Sequence, residues 1–271
     1  MSALGLDPHV QAYTARLAAV GLGVRPYEAV ALSRFTRRAK LAGYWDRLDE
    51  IIPMCGRNAA ATLYKLKYVS TSKMTANGTY SESRYSPRAG VIGNNVMYFE
   101  TGWVPITHLT NNSSLMIGVG FLKQSGSGFS FIAGTDQTHG TTGKIAFNID
   151  GGLGGTGNWF GGWVPLTTFG GANLGSITAG SGFYIANRTS NVAATAYKNG
   201  AQIGTSSADN TGTPMPNTQL VLMGDGLGAV TKMAANDRVL FACIGRNFTS
   251  TDVTELSADY TVLMQDLRRA F

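Results

Sequence analysis

The chain has 271 residues, and its hydrophobic content of 44% is enough for a large core, which excludes an intrinsically disordered chain. Only 14% of the residues are charged while 35 are glycine, a composition typical of many short strands joined by turns. No apolar run approaches the ~18 residues of a membrane span and the N-terminus lacks a signal-peptide pattern, so we expect synthesis in a cytoplasm and no membrane partner.

Helices are predicted at the start of the chain. Asp7, followed by a proline, can cap a first helix, and a second helix is predicted over Pro26–Ala42. Arg38 falls on the apolar stripe of the second helix, so its guanidinium needs a partner or must reach solvent. Residues 45–52 are predicted as one or two more helical turns, which Pro53 ends. Residues 1–58 therefore form a helical N-terminal segment.

The formal net charge of +6 is concentrated around the second helix. Residues 25–73 contain ten Lys/Arg and four Asp/Glu, so this segment carries the whole excess. No nucleic-acid-binding motif accompanies the charge, and we expect no nucleic-acid partner. A solvated helix face and a surface for an acidic protein partner both fit this pattern.

We predict that the helical segment docks the protein onto another protein. Its arginine and aromatic side chains are the residue types enriched at interface hot spots. The candidate docking residues are Tyr27, Arg34, Phe35, Arg37, Arg38 and Trp45. The alternative is that these helices only cover an open end of a sheet domain.

From residue 59 to residue 249 the pattern changes to short strands, which predicts a mainly β domain, an antiparallel β-sandwich. The alternation of residues 63–69 predicts its first strand. The clearest element is a hairpin in which Asn199-Gly200, suited to a type I′ turn, joins strands 192–198 and 201–205. Further strands are predicted at residues 96–101, 114–122, 129–133, 144–149, 181–187, 220–223 and 239–246.

A glycine-rich stretch from Gly151 to Gly175 interrupts these strands and contains three candidate binding residues, Trp159, Phe160 and Trp163. Loops of this length are more often functional or interfacial than idle. Aromatic side chains on a loop can stack on sugar rings, or they can be buried at one end of a sandwich or in a subunit contact. The stretch is therefore a candidate glycan or interface site.

The last segment, residues 250–271, is predicted as a helix that packs its apolar stripe on the sandwich. Cys55 and Cys243 are predicted to be buried core residues. The sequence has no nucleophile elbow, no phosphate loop and no paired strand carboxylates of a glycosidase. Its three histidines lack metal-ligand spacing. We therefore predict no catalytic residues, no cofactor and no metal site.

Seven motifs in order along the chain carry a resemblance. They are Asp7–Tyr13, Ala31–Trp45 and Ile51–Gly56 in the helical start, and Ala186–Thr189, Tyr197–Gly200, Phe241–Gly245 and Thr251–Glu255 toward the end. Together they resemble tailed-bacteriophage proteins that contain a laminin-G-like, concanavalin-like jelly-roll domain. The resemblance does not extend to residues 134–180, and the family supplies no catalytic residues.

The resemblance implies a non-enzymatic structural component of a phage virion: a tail, fibre or head-surface decoration subunit. Its partners would be other virion proteins and further copies of itself. Such a protein is made in the host cytoplasm and resides in the virion. The alternative is a glycan-binding module for attachment to a host surface glycan, and a glycosidase is a third reading.

Overall fold

The computed structural model describes residues 5–109, 114–122, 129–134, 144–150, 163–164, 180–207, 215–224 and 236–269. Residues 129–134, 144–150 and 163–164 are described by their backbone alone. The α-helices in these residues are α1 (Pro8–Ala18), α2 (Pro26–Ala42), α3 (Pro105–His108) and α4 (Ser250–Asp266).

The strands are short and follow one another along most of the chain. The first seven are β1 (Leu48–Ile52), β2 (Thr75–Asn77), β3 (Tyr85–Ser86), β4 (Gly90–Ile92), β5 (Tyr98–Glu100), β6 (Leu115–Leu122) and β7 (Phe129–Gly134). The others are β8 (Lys144–Asp150), β9 (Trp163–Val164), β10 (Gly182–Ser190), β11 (Ala193–Lys198), β12 (Ala201–Ser206), β13 (Val221–Leu222) and β14 (Arg238–Gly245).

The strands pair into two antiparallel sheets. The larger sheet has the order β12-β11-β10-β6-β14-β4-β3, and β1 also pairs with β14. Arg238–Val239 of β14 pair with β4, whereas its Ala242–Gly245 pair with β1, so both partners lie on the same side of β14. The smaller sheet has the order β2-β5-β13-β7-β8-β9. The predicted fold class, a mainly antiparallel β-sandwich with helices at both ends of the chain, is confirmed.

The larger sheet is buried on both faces. On one face, Ile117 and Val119 of β6 belong to the same core as Phe99 of the smaller sheet. On the other face, Phe183 of β10 belongs to a second core that includes Tyr260 of α4 and the apolar side chains of α1 and α2. The protein therefore has three layers: helices, larger sheet and smaller sheet. Two buried faces explain why β6 reads as an almost continuous apolar run.

Two glycines of β6 make room for neighbouring side chains, and Gly120 lets α4 approach the sheet closely. A Cβ atom at Gly120 would collide with the phenol of Tyr260, and one at Gly118 would lie 2.8 Å from the sulfur of Cys243. Tyr260 stacks on Phe183 with ring centroids 4.2 Å apart and planes inclined by 14°. These glycines are therefore required by packing rather than by a turn.

The predicted hairpin is confirmed. Its strands are β11 and β12, and Asn199 and Gly200 between them have φ angles of 51° and 84°. A type I′ turn needs positive φ at both positions.

The prediction of helix over residues 45–52 is wrong beyond residue 47. Leu48–Ile52 form the fully buried strand β1, paired with β14. In the sequence, Asp49 and Glu50 fit the exposed face of a helix. In the structure, a carboxylate oxygen of Asp49 lies 3.3 Å from Arg246 Nε and one of Glu50 lies 2.6 Å from Lys65 Nζ. Tertiary ion pairs and sheet pairing thus override the local pattern.

The predicted strand over residues 63–69 is also wrong. A 3₁₀-helix spans Ala59–Leu63, and the chain beyond it makes only isolated bridges, Tyr64 with Lys73 and Lys67 with Ile51. Lys65 is fully buried. The alternating pattern could not predict a buried cation here, because the partner of Lys65, Glu50, lies 15 residues away in sequence.

Polar contacts join α2 to α4 across the helical layer. Arg38 Nε lies 2.9 Å from Asp259 Oδ1, and the Tyr44 hydroxyl donates to Asp259 Oδ2 at 2.6 Å. Burial raises the pKa of Asp259, against the opposing effects of Tyr44 and Arg38. Of the two outcomes expected for Arg38, a partner or access to solvent, the structure shows a partner. The proposed division of the chain at residues 58 and 249 stays a prediction.

Candidate functional site

A basic cavity of about 390 Å³ opens where the start of α2, the turn between β3 and β4, and the end of α4 meet. We call it the arginine pocket. It is lined by Arg25, Tyr27, Ser86, Pro87, Arg88 and Arg268. Three arginines, a tyrosine and a serine thus face one small volume, and the lining contains no carboxylate.

Local backbone structure holds each part of the pocket. Arg25 precedes α2, and its main-chain N–H donates to Glu28 Oε2 at 2.7 Å. Its guanidinium donates to Gly56 O at 2.6 Å and to Glu28 Oε1 at 3.2 Å. Arg88 occupies the short turn between β3 and β4. Arg268 follows α4 with a φ of 56°, and its guanidinium lies 5.7 Å from the centre of the Tyr27 ring.

Charge in the pocket is strongly unbalanced. Burial acts to lower the pKa of Arg25, but the Glu28 carboxylate together with Tyr85 and Tyr27 outweighs it, and the pKa is raised. Among the described residues, Arg88 and Arg268 have no carboxylate within ion-pair distance, whereas Arg25 pairs with Glu28. The pocket therefore presents a net positive surface to solvent.

A fourth arginine lies beneath the pocket. Arg269 is only 4% exposed, and its guanidinium donates to the carbonyls of Pro87, Pro53, Leu240 and Met54 at distances from 2.6 to 3.3 Å. Within the described ranges it has no carboxylate partner. A buried charge of this kind is weakly screened, so it adds to the positive potential of the pocket above it.

The candidate docking residues separate into four environments. Tyr27 lines the arginine pocket, half-buried against Arg268. Phe35 and Trp45 are buried in the core beneath the helices, so neither side chain is presented to a partner in this structure. Arg38 is half-buried and engaged with α4. Their role in docking stays a prediction.

The two remaining docking candidates, Arg34 and Arg37, lie on the outer face of α2. They share this face with Val30 and Leu41, because the spacing of i, i+4, i+7 and i+11 aligns side chains on a helix. Leu41 is 88% exposed and Val30 is 45% exposed. Arg34 makes an exposed ion pair with Asp266, and Arg37 donates to the carbonyl of Gly5. The outer face is thus a mixed apolar and basic surface.

The aromatic candidates in the glycine-rich stretch are largely outside the described residues. Trp159 and Phe160 lie outside the described residues. Trp163 begins β9, whose backbone pairs with Lys144–Ile145 of β8. The structure thus places the backbone of Trp163 at the edge of the smaller sheet, and the binding role of all three residues stays a prediction.

No group of three or more His, Cys, Asp or Glu side chains in the described part of the chain could hold a metal ion. Both cysteines are buried there, and burial raises the pKa of the Cys55 thiol to about 12. Such a thiol is not a reactive nucleophile near neutral pH. Among the described residues, no helix is long and apolar enough to cross a membrane.

Sequence reasoning missed the arginine pocket because its lining comes from three segments separated by about 60 and 180 residues. The partial signals were two basic residues outside the basic segment, Arg88 beside a proline turn and Arg268 at the end of a helix. Nothing in either local pattern indicates that they converge on Tyr27.

No protein-family model matches the chain, and no curated protein does. Among solved structures, the chain is similar to domain 4 of AbnA, a GH43 extracellular arabinanase from Geobacillus stearothermophilus, in complex with arabinotriose. The two share 16% identity with a TM-score of 0.51, over 78% of this chain and 98% of that domain.

Two further structures are similar at a lower level. A Trypanosoma rangeli sialidase shares 10% identity with a TM-score of 0.49, over 87% of this chain and 39% of the sialidase. A botulinum neurotoxin type C structure shares 13% identity with a TM-score of 0.49, over 80% of this chain and 52% of that one. Because both TM-scores are below 0.5, we draw no conclusion from these two similarities. The AbnA match agrees with the fold class seen in the structure, an antiparallel β-sandwich.

Proposed function

We propose that this protein is a non-enzymatic structural component of a phage virion, a tail, fibre or head-surface subunit that docks through the outer face of α2. The observation that carries the docking is the pair of exposed apolar side chains, Val30 and Leu41, on either side of Arg34 and Arg37. Apolar contact would supply affinity, and the arginines would favour an acidic partner surface. The resemblance of the sequence motifs to tailed-bacteriophage proteins supports the part of the proposal that locates the protein in a virion.

Buried carboxylates that are held in ion pairs with cations support a role without catalysis. Six buried carboxylates each lie within ion-pair distance of a cation: Asp7, Glu28, Asp49, Glu50, Asp252 and Asp259. A glycosidase needs two carboxyl groups free to act on a substrate. These six are instead engaged in holding elements together. Turnover of a polysaccharide by the purified protein would overturn this part of the proposal.

The first test is mass spectrometry of purified particles, in which we expect the protein to be present. The second is binding of purified protein to particles that lack it. We expect the variant Val30→Asp/Leu41→Asp to bind about 30-fold more weakly, the effect of losing a hot spot of about 2 kcal/mol. Val192→Asp is the matched control, because Val192 is 51% exposed on another surface.

Two results would contradict this proposal. Absence of the protein from particles would remove the virion role. Equal binding by the wild type and the α2 variant would show that the helices only cover the sheet.

A second candidate function is glycan binding for host attachment. It is favoured by the AbnA domain of similar fold, solved with arabinotriose, together with the presence of a ligand-sized pocket. The test is a glycan array with the wild type, Trp159→Ala and Trp163→Ala. Loss of binding in either variant would place the site in the glycine-rich stretch, whereas an array without any bound glycan would exclude this function.

A further inference from the structure

We propose that the arginine pocket binds the carboxylate group of an acidic saccharide. This inference rests on the glycan-binding function proposed above and names the ligand class for one site. The pocket brings Arg25, Arg88 and Arg268 together around about 390 Å³.

The arginines provide the chemistry that recognises a carboxylate. A guanidinium presents parallel N–H donors that match the two oxygens of a carboxylate. Arg25 already donates to Glu28 and Gly56, which fixes its position at one wall. Arg88 is solvent-exposed, and Arg268 contacts the Tyr27 ring. Among the described residues no acidic side chain neutralises these two, so their donors are available to a ligand.

The supporting layer makes the site electropositive and well ordered. Arg269 Nε donates to the carbonyl of Pro87 at 2.9 Å, so the same side chain holds the pocket wall and adds a buried positive charge. An anion in the pocket would interact favourably with this charge, because burial leaves the charge weakly screened.

The size and walls favour a sugar acid over other anions. About 390 Å³ is near the small end of the range of about 300–1,000 Å³ for ligand pockets, so the pocket suits a ligand of small-molecule size. The Tyr27 ring and Pro87 provide apolar surface, and Ser86 provides a hydroxyl. A sugar acid has an apolar ring face, hydroxyl groups and a carboxylate, whereas inorganic phosphate has only the charge.

The experiment uses the full chain and isothermal titration with four probes: 3′-sialyllactose, its neutral counterpart lactose, trigalacturonate and inorganic phosphate. The variants are Arg88→Gln and Arg268→Asn, since asparagine tolerates the positive φ of residue 268. Lys73→Gln is the control, because Lys73 is an exposed cation outside the lining. Thermal melting checks that each variant is folded.

We expect at least one acidic sugar to bind, with about tenfold weaker binding in each arginine variant and no change in the control. We also expect lactose to bind at least about tenfold more weakly than 3′-sialyllactose. Arg88→Lys should bind more tightly than Arg88→Gln but more weakly than the wild type, since lysine keeps the positive charge but lacks the parallel N–H donors of a guanidinium.

Each other outcome overturns the inference and leaves a distinct conclusion. If glycans bind but the arginine variants behave as wild type, the saccharide site lies elsewhere and glycan binding survives. If phosphate binds as tightly as the acidic sugars, the pocket is an anion site without saccharide selectivity. If neither acidic sugar binds, the inference fails, and only a blank glycan array would also remove the proposed glycan-binding function.

Discussion

The buried ion pair between Lys65 and Glu50 offers a sharp test of how the helical start is joined to the sandwich. Both side chains are fully buried, with Lys65 Nζ 2.6 Å from Glu50 Oε2. Lys65 also donates to Ser70 Oγ at 2.8 Å and to Thr101 O at 2.5 Å. Glu50 Oε1 accepts from the main-chain N–H groups of Val69 and Ser70. Burial lowers the pKa of Lys65 although Glu50 opposes this.

We expect Lys65→Met and Glu50→Gln each to lower the free energy of unfolding by about 3–5 kcal/mol, because each leaves one buried group without its charged partner. The glutamine in Glu50→Gln keeps an oxygen that can accept from the main-chain N–H groups of Val69 and Ser70. This variant therefore tests the loss of the negative charge rather than the loss of these hydrogen bonds. The double variant should lose about 0.5–3 kcal/mol less than the sum of the single losses, since it leaves no lone charge.

The assay is urea denaturation at pH 7 for wild type, both single variants and the double variant. The matched control is a cycle on Arg34 and Asp266, whose pair is exposed by 62% and 22%. That pair should contribute only about 0.2–1 kcal/mol. Single losses below about 1 kcal/mol with additive behaviour in the Lys65–Glu50 cycle would refute the reasoning, because the buried pair would then behave like an exposed one.

Three further predictions concern the packing and capping of the helices. Gly120→Ala should cost about 1–3 kcal/mol in urea denaturation, since the new Cβ collides with Tyr260, and an unchanged midpoint would show that α4 can shift. Arg269→Met should cost at least about 3 kcal/mol, because four buried carbonyls lose their donor, and a wild-type melting temperature would show that water replaces the guanidinium. Burial acts to raise the pKa of Asp7, but Lys40 and the His9 N–H outweigh it and lower the pKa. The Asp7 carboxylate therefore stabilises the fold above its unfolded pKa of about 3.9, and this contribution is lost as the pH falls through the lower folded pKa. Asp7→Asn should cost about 1 kcal/mol at pH 7, this cost should shrink as the pH falls below about 3.9, and a pH-independent difference would contradict this assignment.

Local patterns determined much of the architecture. The Asp7 cap, the Asn199-Gly200 turn and the apolar stripe of α4 depend on interactions within a few residues, so they could be predicted without knowledge of the fold. The antiparallel sandwich followed from many such elements in succession. That the Arg38 guanidinium must find a partner or reach solvent could also be anticipated, although not that its partner is Asp259.

Only the tertiary structure decided the features that depend on contacts between distant segments. Residues 48–52 become a strand because β14 offers backbone partners and Lys65 and Arg246 neutralise the acidic side chains. The same holds for the arginine pocket, whose walls come from segments far apart in sequence. A local pattern records which side chains can share a face, but the free energy of burying a charge depends on which group the fold places beside it.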